Sequence, residues 1–323
     1  MSHESPLRAR SSDRLVDEKF AADVIEGLGR RAKELPCRWL YDARGSELFE
    51  EITRLPEYYP TRTEAAILTR HAAEISARTP IGAILVEFGS GSSRKTEIVL
   101  QATPQLAAYL PIDVSQSALQ RAQARLARRF PALETIPVVG DFLAQPQLPA
   151  SLRSAPRVGF FPGSTIGNLR PQDACALLKT FARTLGEGAR LVVGVDLRKS
   201  VDRLLPAYDD SAGVTAAFNA NVLRRINREL DGDFDVEAFA HEAVWNEQES
   251  RIEMRLVSLR PQLVHVLGHT FGFRRDERIH TENSYKHTVE GFRRMAREAG
   301  WRALETWTDD EGLFSVHDLA AAR

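Results

Sequence analysis

The sequence predicts an α/β fold built on a doubly wound parallel sheet, with a second, smaller unit wrapped beside it. Three observations predict it. Five short apolar runs rich in β-branched and aliphatic residues alternate with helical patterns between residues 83 and 197. The first run ends in a glycine-serine turn, where such sheets place their ligands. Two closely spaced runs near the end of the chain read as an antiparallel hairpin that closes the sheet.

The first run, residues 83–88 (AILVEF), is short enough and apolar enough for a strand buried on both faces. A helix is expected over 96–102, then a second strand within 106–114 that ends at Asp113. Ser115 can cap a helix running to about Arg129, with Leu119, Ala122, Leu126 and Phe130 on one face. Residues 136–140 (IPVVG) form the expected third strand, ending at Asp141, and 157–161 (RVGFF) the fourth. The helix over 171–185 turns Ala174, Leu177, Leu178, Phe181 and Leu185 inward, and Gly186 and Gly188 stop it. Residues 189–197 (ARLVVGVDL) are the fifth strand. The alternation then breaks. Between 198 and 283 the pattern shows helical stretches and a hairpin, 251–259 with 262–267, turning at Arg260-Pro261. A helix over 289–300 and strands 303–308 and 314–318 follow. One unit is therefore expected over 63–197 and 286–323, and a second over 15–62 and 198–285, with a ligand cleft between them.

Bulk properties exclude several classes of function. Lys and Arg number 43 against 44 Asp and Glu, so there is no cation excess to hold a polyanion, and no nucleic-acid partner is expected. No run reaches the length of a membrane span. The polar start, MSHESPLRARSSDR, carries no apolar leader, so a cytoplasmic protein is expected, and a monomer. Cys37 and Cys175 stand far apart, as inert reduced thiols would, and no HExxH motif points to a metal.

The glycine turn carries the first chemical signal. Glu87-Phe-Gly89-Ser-Gly91-Ser-Ser93 joins a strand to a helix, and its glycines let a ligand approach the backbone. A dinucleotide fingerprint needs a third glycine where Arg94 stands, which argues against a nicotinamide-dependent dehydrogenase. The pattern resembles instead the first motif of class I methyltransferases, which bind S-adenosylmethionine. Asp113, at the second strand end, can accept from both ribose hydroxyls of such a ligand. Asp141 and Phe142, at the third, offer a carboxylate and a ring to an adenine. Lys95 can meet the amino-acid carboxylate. Singly, each acid is as well explained as a helix cap; acids at three successive strand ends with glycines at the first are not.

Four longer segments narrow the reading. They are Tyr41–Ser46 (YDARGS) with 52–64 (ITRLPEYYPTRTE), 161–169 (FPGSTIGNL), 207–219 (AYDDSAGVTAAFN) and 279–286 (IHTENSYK). In this order they resemble the histidine Nα-methyltransferase family of ergothioneine biosynthesis, from about Phe20 to the end of the chain. The resemblance implies a Rossmann-like class I methyltransferase domain plus a smaller α+β substrate-binding domain. It implies trimethylation of L-histidine to its betaine, hercynine, with S-adenosylmethionine as the donor and no metal. By resemblance, Tyr58 and the pair Glu282 and Ser284 contact the imidazole. Gly163 and Asn168 contact the amino-acid head, and Tyr208 the carboxylate. Tyr41, Gly89, Lys95, Asp113, Asp141 and Phe142 contact the cofactor.

This chemistry suits those residue types. The attacking amine must be neutral, and no separate nucleophile is required, so catalysis rests on orientation. A carboxylate beside the amine would stabilise an ammonium and oppose the reaction. Glu282 is therefore expected at the imidazole, accepting a ring N–H and setting specificity. The quaternary product loses every N–H, and the faces of Tyr41, Tyr58 and Phe218 suit such a cation. Rival readings are a methyltransferase for a related imidazole amino acid or amine, and a non-catalytic S-adenosylmethionine sensor.

Overall fold

The computed structural model of the chain describes residues 17–91, 94–146, 148–149 and 155–322; Ser92 and Ser93 of the glycine motif lie outside them. The opening segment holds α1 (Glu18–Gly29), the short strand β1 (Lys33–Glu34) and α2 (Ala43–Ile52). Asp17 and Asp42 cap the two helices, each accepting backbone N–H groups of the first turn. The central stretch runs α3 (Tyr59–Arg70), α4 (Ala72–Ala77), β2 (Ile84–Phe88), α5 (Arg94–Ala102), β3 (Ala108–Asp113) and α6 (Gln116–Arg129). It continues through β4 (Glu134–Thr135), β5 (Val138–Val139), β6 (Arg157–Phe161), α7 (Pro171–Leu185) and β7 (Arg190–Asp196). Next come α8 (Val201–Leu204), α9 (Val214–Glu229), β8 (Phe239–Asn246), β9 (Arg251–Ser258), β10 (Gln262–Val266), β11 (His269–Phe273) and β12 (Arg278–Tyr285). The chain closes with α10 (Val289–Glu298), β13 (Trp301–Thr308) and β14 (Phe314–Ala321).

The main sheet has the order β13-β14-β7-β6-β2-β3-β4, with β5 also paired to β3. Strands β2 to β7 are parallel, and β14 enters antiparallel between β7 and β13. This is the expected doubly wound sheet with a closing antiparallel hairpin. Alternation along each strand feeds two cores. Ile84, Val86 and Phe88 face a cluster with Phe161, Phe181, Phe292 and Trp301. Leu85 and Tyr109 face another with Ile67, Leu68, Phe160, Val192 and Phe314. Residues of the opening segment and of the long insertion share a third core: Phe20, Val24 and Leu28 pack with Phe218, Leu223, Ile226, Met254 and Ile279. β1 pairs in parallel with β12 and forms one edge of the sheet β1-β12-β9-β8.

Two expectations need correction. Residues 136–140 do not form one strand; the edge is made of two pieces, β4 and β5, with Ile136 and Pro137 between them, because Pro137 has no N–H to give the ladder. The strands 251–259 and 262–267 do not pair with each other. β9 lies between β8 and β12, and β10 pairs with β11 instead. The reversal is at Leu267-Gly268, where φ of +48° and +79° makes the two-residue turn that antiparallel strands favour. Among the described residues, no helix is long and apolar enough to cross a membrane.

The closing hairpin is fastened to β7 by an ion pair with almost no exposure: Arg190 Nε and Nη2 donate to Asp318 at 3.1 and 2.5 Å. Arg190→Met leaves that buried carboxyl with only the more distant Arg78, 3.9 Å away. It is expected to lower the unfolding free energy by roughly 3–5 kcal/mol in chemical denaturation, and Arg190→Met/Asp318→Leu to recover much of the loss.

Candidate active site

The carboxyl ends of the parallel strands carry most of the residues expected at the cofactor. Gly89 leaves β2 with φ +75°, a conformation costly for any other residue. A Cβ there would lie 3.1 Å from the Phe142 ring, so the missing side chain is what lets the ring close over the turn. Asp113, half-buried at the end of β3, accepts from Gly91 N at 3.1 Å and Ser115 N at 2.9 Å. Each oxygen keeps a further lone pair for a ligand. Asp141 follows β5 and accepts from Leu143 N at 2.9 Å. Phe142 packs edge-on against Phe161 at 5.6 Å. Gly89, Asp113, Asp141 and Phe142 thus border one rim, and their donors, acceptors and ring fit a nucleoside carrying an amino-acid tail.

Glu87 does different work. It is buried and accepts from Thr96 Oγ1 at 2.7 and 2.8 Å and from Tyr109 Oη. Burial pushes its carboxyl up to about 8, against the pull of these donors. It ties β2 to α5 and β3 and offers nothing to the rim. Lys95, expected to meet a cofactor carboxylate, here pairs with Glu64 at 2.5 Å.

Beside the rim lies a cavity between the main sheet and the third core. Tyr41, Tyr58, Gly163, Asn168, Tyr208, Glu282 and Ser284 all line it, brought from five separate segments. Tyr41 follows a 3-10 turn (Cys37–Leu40), and Tyr58 precedes α3. Gly163 and Asn168 belong to the link from β6 to α7, Tyr208 follows a 3-10 turn (Leu205–Ala207), and Glu282 and Ser284 sit on β12. A β-bulge at Thr281 shifts the β12 register, and Thr281 Oγ1 donates to Met254 O at 3.0 Å. The bulge leaves Glu282 and Ser284, two apart, both aimed into the cavity. Aromatic rings form one wall: Tyr41 meets Phe218 at 5.2 Å and Phe49 at 5.5 Å, and Tyr58 meets Tyr208 at 6.3 Å. Phe49 was not anticipated from the sequence; it lies on the cavity side of α2, three residues before Ile52, which also lines the cavity.

Two carboxyl groups enter the cavity, in opposite circumstances. Asp196, at the end of β7, accepts from Lys199 Nζ at 2.6 Å, Lys286 Nζ at 2.7 Å, and Tyr59 Oη at 2.8 and 2.9 Å. Burial alone would raise its pKa, but the two ammonium groups outweigh that and hold it below the usual carboxylate range. Burial brings Lys199 down to about 8, against the opposing pull of Asp196. Lys286 also donates to Tyr208 Oη at 2.7 Å and Ser284 Oγ at 2.8 Å, which are 2.7 Å apart. Sequence reasoning missed this network, although Asp196 is a fourth acid at a parallel strand end, after Glu87, Asp113 and Asp141. Glu282 is only 7% exposed, yet among the described residues its Oε2 has no hydrogen-bond partner. Desolvation raises its carboxyl to about 8, with Lys286 opposing. A buried polar atom left unpaired costs free energy, and a ligand donor would remove that cost. Among the described residues no group of three His, Cys, Asp or Glu side chains could hold a metal. His265 and His269, four apart in sequence, lie exposed on the β10–β11 hairpin.

The family described as histidine-specific, SAM-dependent methyltransferase matches residues 20–321. A histidine N-alpha-methyltransferase of Mycolicibacterium smegmatis is 46% identical over 93% of this chain and 94% of its own length. One from Mycobacterium tuberculosis is 43% identical over 93% and 94%. Ergothioneine biosynthesis protein 1 of Neurospora crassa is 32% identical over 90% of this chain, which spans 33% of that longer protein.

The Glu282 carboxyl makes stability depend on pH. Its pKa rises on folding from 4.5 to about 8, so its contribution is fully present below 4.5 and is lost as pH rises through 8. Glu282→Gln removes the titration. Wild type is expected to lose roughly 4 kcal/mol relative to this variant between about pH 5 and about pH 9. Thermal unfolding across that range measures it; a difference that does not change with pH would show that Glu282 titrates normally.

Proposed function

This chain belongs to the family of histidine-specific, S-adenosylmethionine-dependent methyltransferases, and on that premise we propose that it trimethylates the α-amine of L-histidine. The product is hercynine, and the reaction is the first step of ergothioneine biosynthesis. The observation that carries the choice of ligand is the unpaired, buried Glu282 carboxyl beside Ser284 in an aromatic-walled cavity.

In this reading the cofactor occupies the rim. Gly89 admits its backbone-facing side, Asp113 takes the ribose hydroxyls, Asp141 and Phe142 the adenine, and Lys95 and Tyr41 the amino-acid end. It supplies a methyl group on a cationic sulfur, whose charge disfavours an ammonium nearby. Histidine fills the cavity between the unit 63–197 with 286–323 and the unit 15–62 with 198–285. Glu282, Ser284 and Tyr58 hold the imidazole, Gly163 and Asn168 the amino-acid head, and Tyr208 the carboxylate.

The residues suit an amine that must be neutral when it attacks. Asp196, the other carboxylate lining the cavity, is occupied by Lys199, Lys286 and Tyr59, so it is not available to stabilise an ammonium. Tyr41, Phe49, Tyr58 and Phe218 present rings that accept a growing cation without demanding an N–H. Rate enhancement then comes from holding the amine in line with the methyl group, an effect worth several powers of ten when reacting atoms are well placed.

Mass spectrometry after incubation with S-adenosylmethionine and a pool of amino acids is expected to show histidine alone gaining mass, up to three methyl groups. Unchanged histidine would sink the proposal, and a product that stops at one or two methyls would correct its extent. Because a site built to bind a ring N–H rejects ligands lacking it, Glu282→Ala is expected to shrink the preference for histidine over phenylalanine by up to about 10⁴-fold. A preference left intact would remove Glu282 from the specificity site.

A further inference from the structure

Glu64 stands where the cofactor rim meets the histidine cavity. It lies on α3, six residues beyond Tyr58, and has no exposed surface. Its two carboxylate oxygens accept from Gly163 N at 3.0 and 2.9 Å, and Oε2 also accepts from Lys95 Nζ at 2.5 Å. Two glycines make room for this arrangement. A Cβ on Gly194, in the middle of β7, would fall 2.0 Å from Glu64 Oε1. A Cβ on Gly163 would fall 3.2 Å from the Lys95 ammonium. The buried carboxylate therefore occupies a space shaped for it, and among the described residues it takes one lysine donor and leaves the other two unspent.

Lysine is a poor fixed ligand by itself, because its four-carbon stem carries about 2 kcal/mol of rotamer entropy. Pairing with an immobile carboxylate removes that freedom before any ligand arrives. Lys95 is the second residue of its helix, close behind the glycine turn, and its ammonium lies beside Gly163, which lines the histidine cavity.

We propose that Glu64 is a positioning residue that holds the Lys95 ammonium for the carboxylate of the cofactor's amino-acid tail. Through Gly163 it anchors the β6–α7 link, and hence the histidine cavity, to the same point. The inference rests on the reading of Lys95 as that carboxylate's partner.

Two ligands separate positioning from bulk structure. S-adenosylhomocysteine carries the amino-acid tail; 5′-methylthioadenosine has the same nucleoside and thioether without it. Glu64→Gln keeps the shape and an acceptor for Gly163 N. It is expected to weaken S-adenosylhomocysteine roughly tenfold, the loss of one well-placed charged contact, and to leave methylthioadenosine within about twofold. Lys95→Met is expected to show the same pattern, and the double variant no further loss. Glu64→Asp, which keeps the charge but withdraws it from Lys95, is expected to follow the same pattern to a smaller degree and serves if the glutamine variant is unstable. Equal losses for both ligands, or a tighter S-adenosylhomocysteine complex, would overturn the proposal. An effect in Lys95→Met with none in Glu64→Gln or Glu64→Asp would also overturn it. No effect in Lys95→Met would overturn the reading of Lys95 itself.

Discussion

The Asp196 carboxylate, with two ammonium groups and a phenol around it, is the contact on which the cavity depends. A buried charge is tolerable only when paired and hydrogen-bonded. The partners here come from distant parts of the chain: Tyr59 opens α3, Lys199 follows β7, and Lys286 follows β12. Each must come to Asp196, or a charge is left uncompensated. That requirement draws the opening segment and the long insertion onto the carboxyl edge of the main sheet. The third hydrophobic core, shared by Phe20, Phe218 and Ile279, then fills the space behind. The cavity is the gap left between these two attachments.

The same cavity sets two carboxyl groups in contrast. Asp196 is saturated, stays ionised and organises Lys286, which in turn orients Tyr208 and Ser284. Glu282 has no partner on Oε2 and is pushed toward its neutral form. Both positions are buried acids, and the contrast between them lies in how many partners the fold supplies to each.

Much of this was legible in the residues. The apolar runs, the glycine turn and the acids at strand ends specify a nucleotide-type sheet because burial on both faces and close backbone approach leave few alternatives. Gly89, Asp113, Asp141 and Phe142 reach one rim for the reason the sequence suggests: each ends a parallel strand or leaves one. The alternation of Glu282 and Ser284 correctly placed both on one face. Other features were illegible for definite reasons. The β9 partners could not be inferred from local pattern, since an apolar strand pairs with whichever neighbour the core demands. The turn at Leu267-Gly268 was hidden because leucine rarely adopts positive φ. Lys95 looked like a free cation, and only the packing of α3 against β7 shows that Glu64 reaches it.

The sequence by itself determined the sheet, the glycine turn with its strand-end acids and the family, because those depend on local periodicity, on glycines in a short turn and on motifs read in order. Tertiary structure alone decided which charges are spent and which are free. Asp196 and Glu282 are both acids in or beside strands, and nothing local distinguishes them. The difference arises from long-range contacts: two lysines and a tyrosine reach one carboxylate, and none reaches Oε2 of the other. Chemistry at this site follows from that unequal distribution of partners, which exists only once the remote segments have packed together.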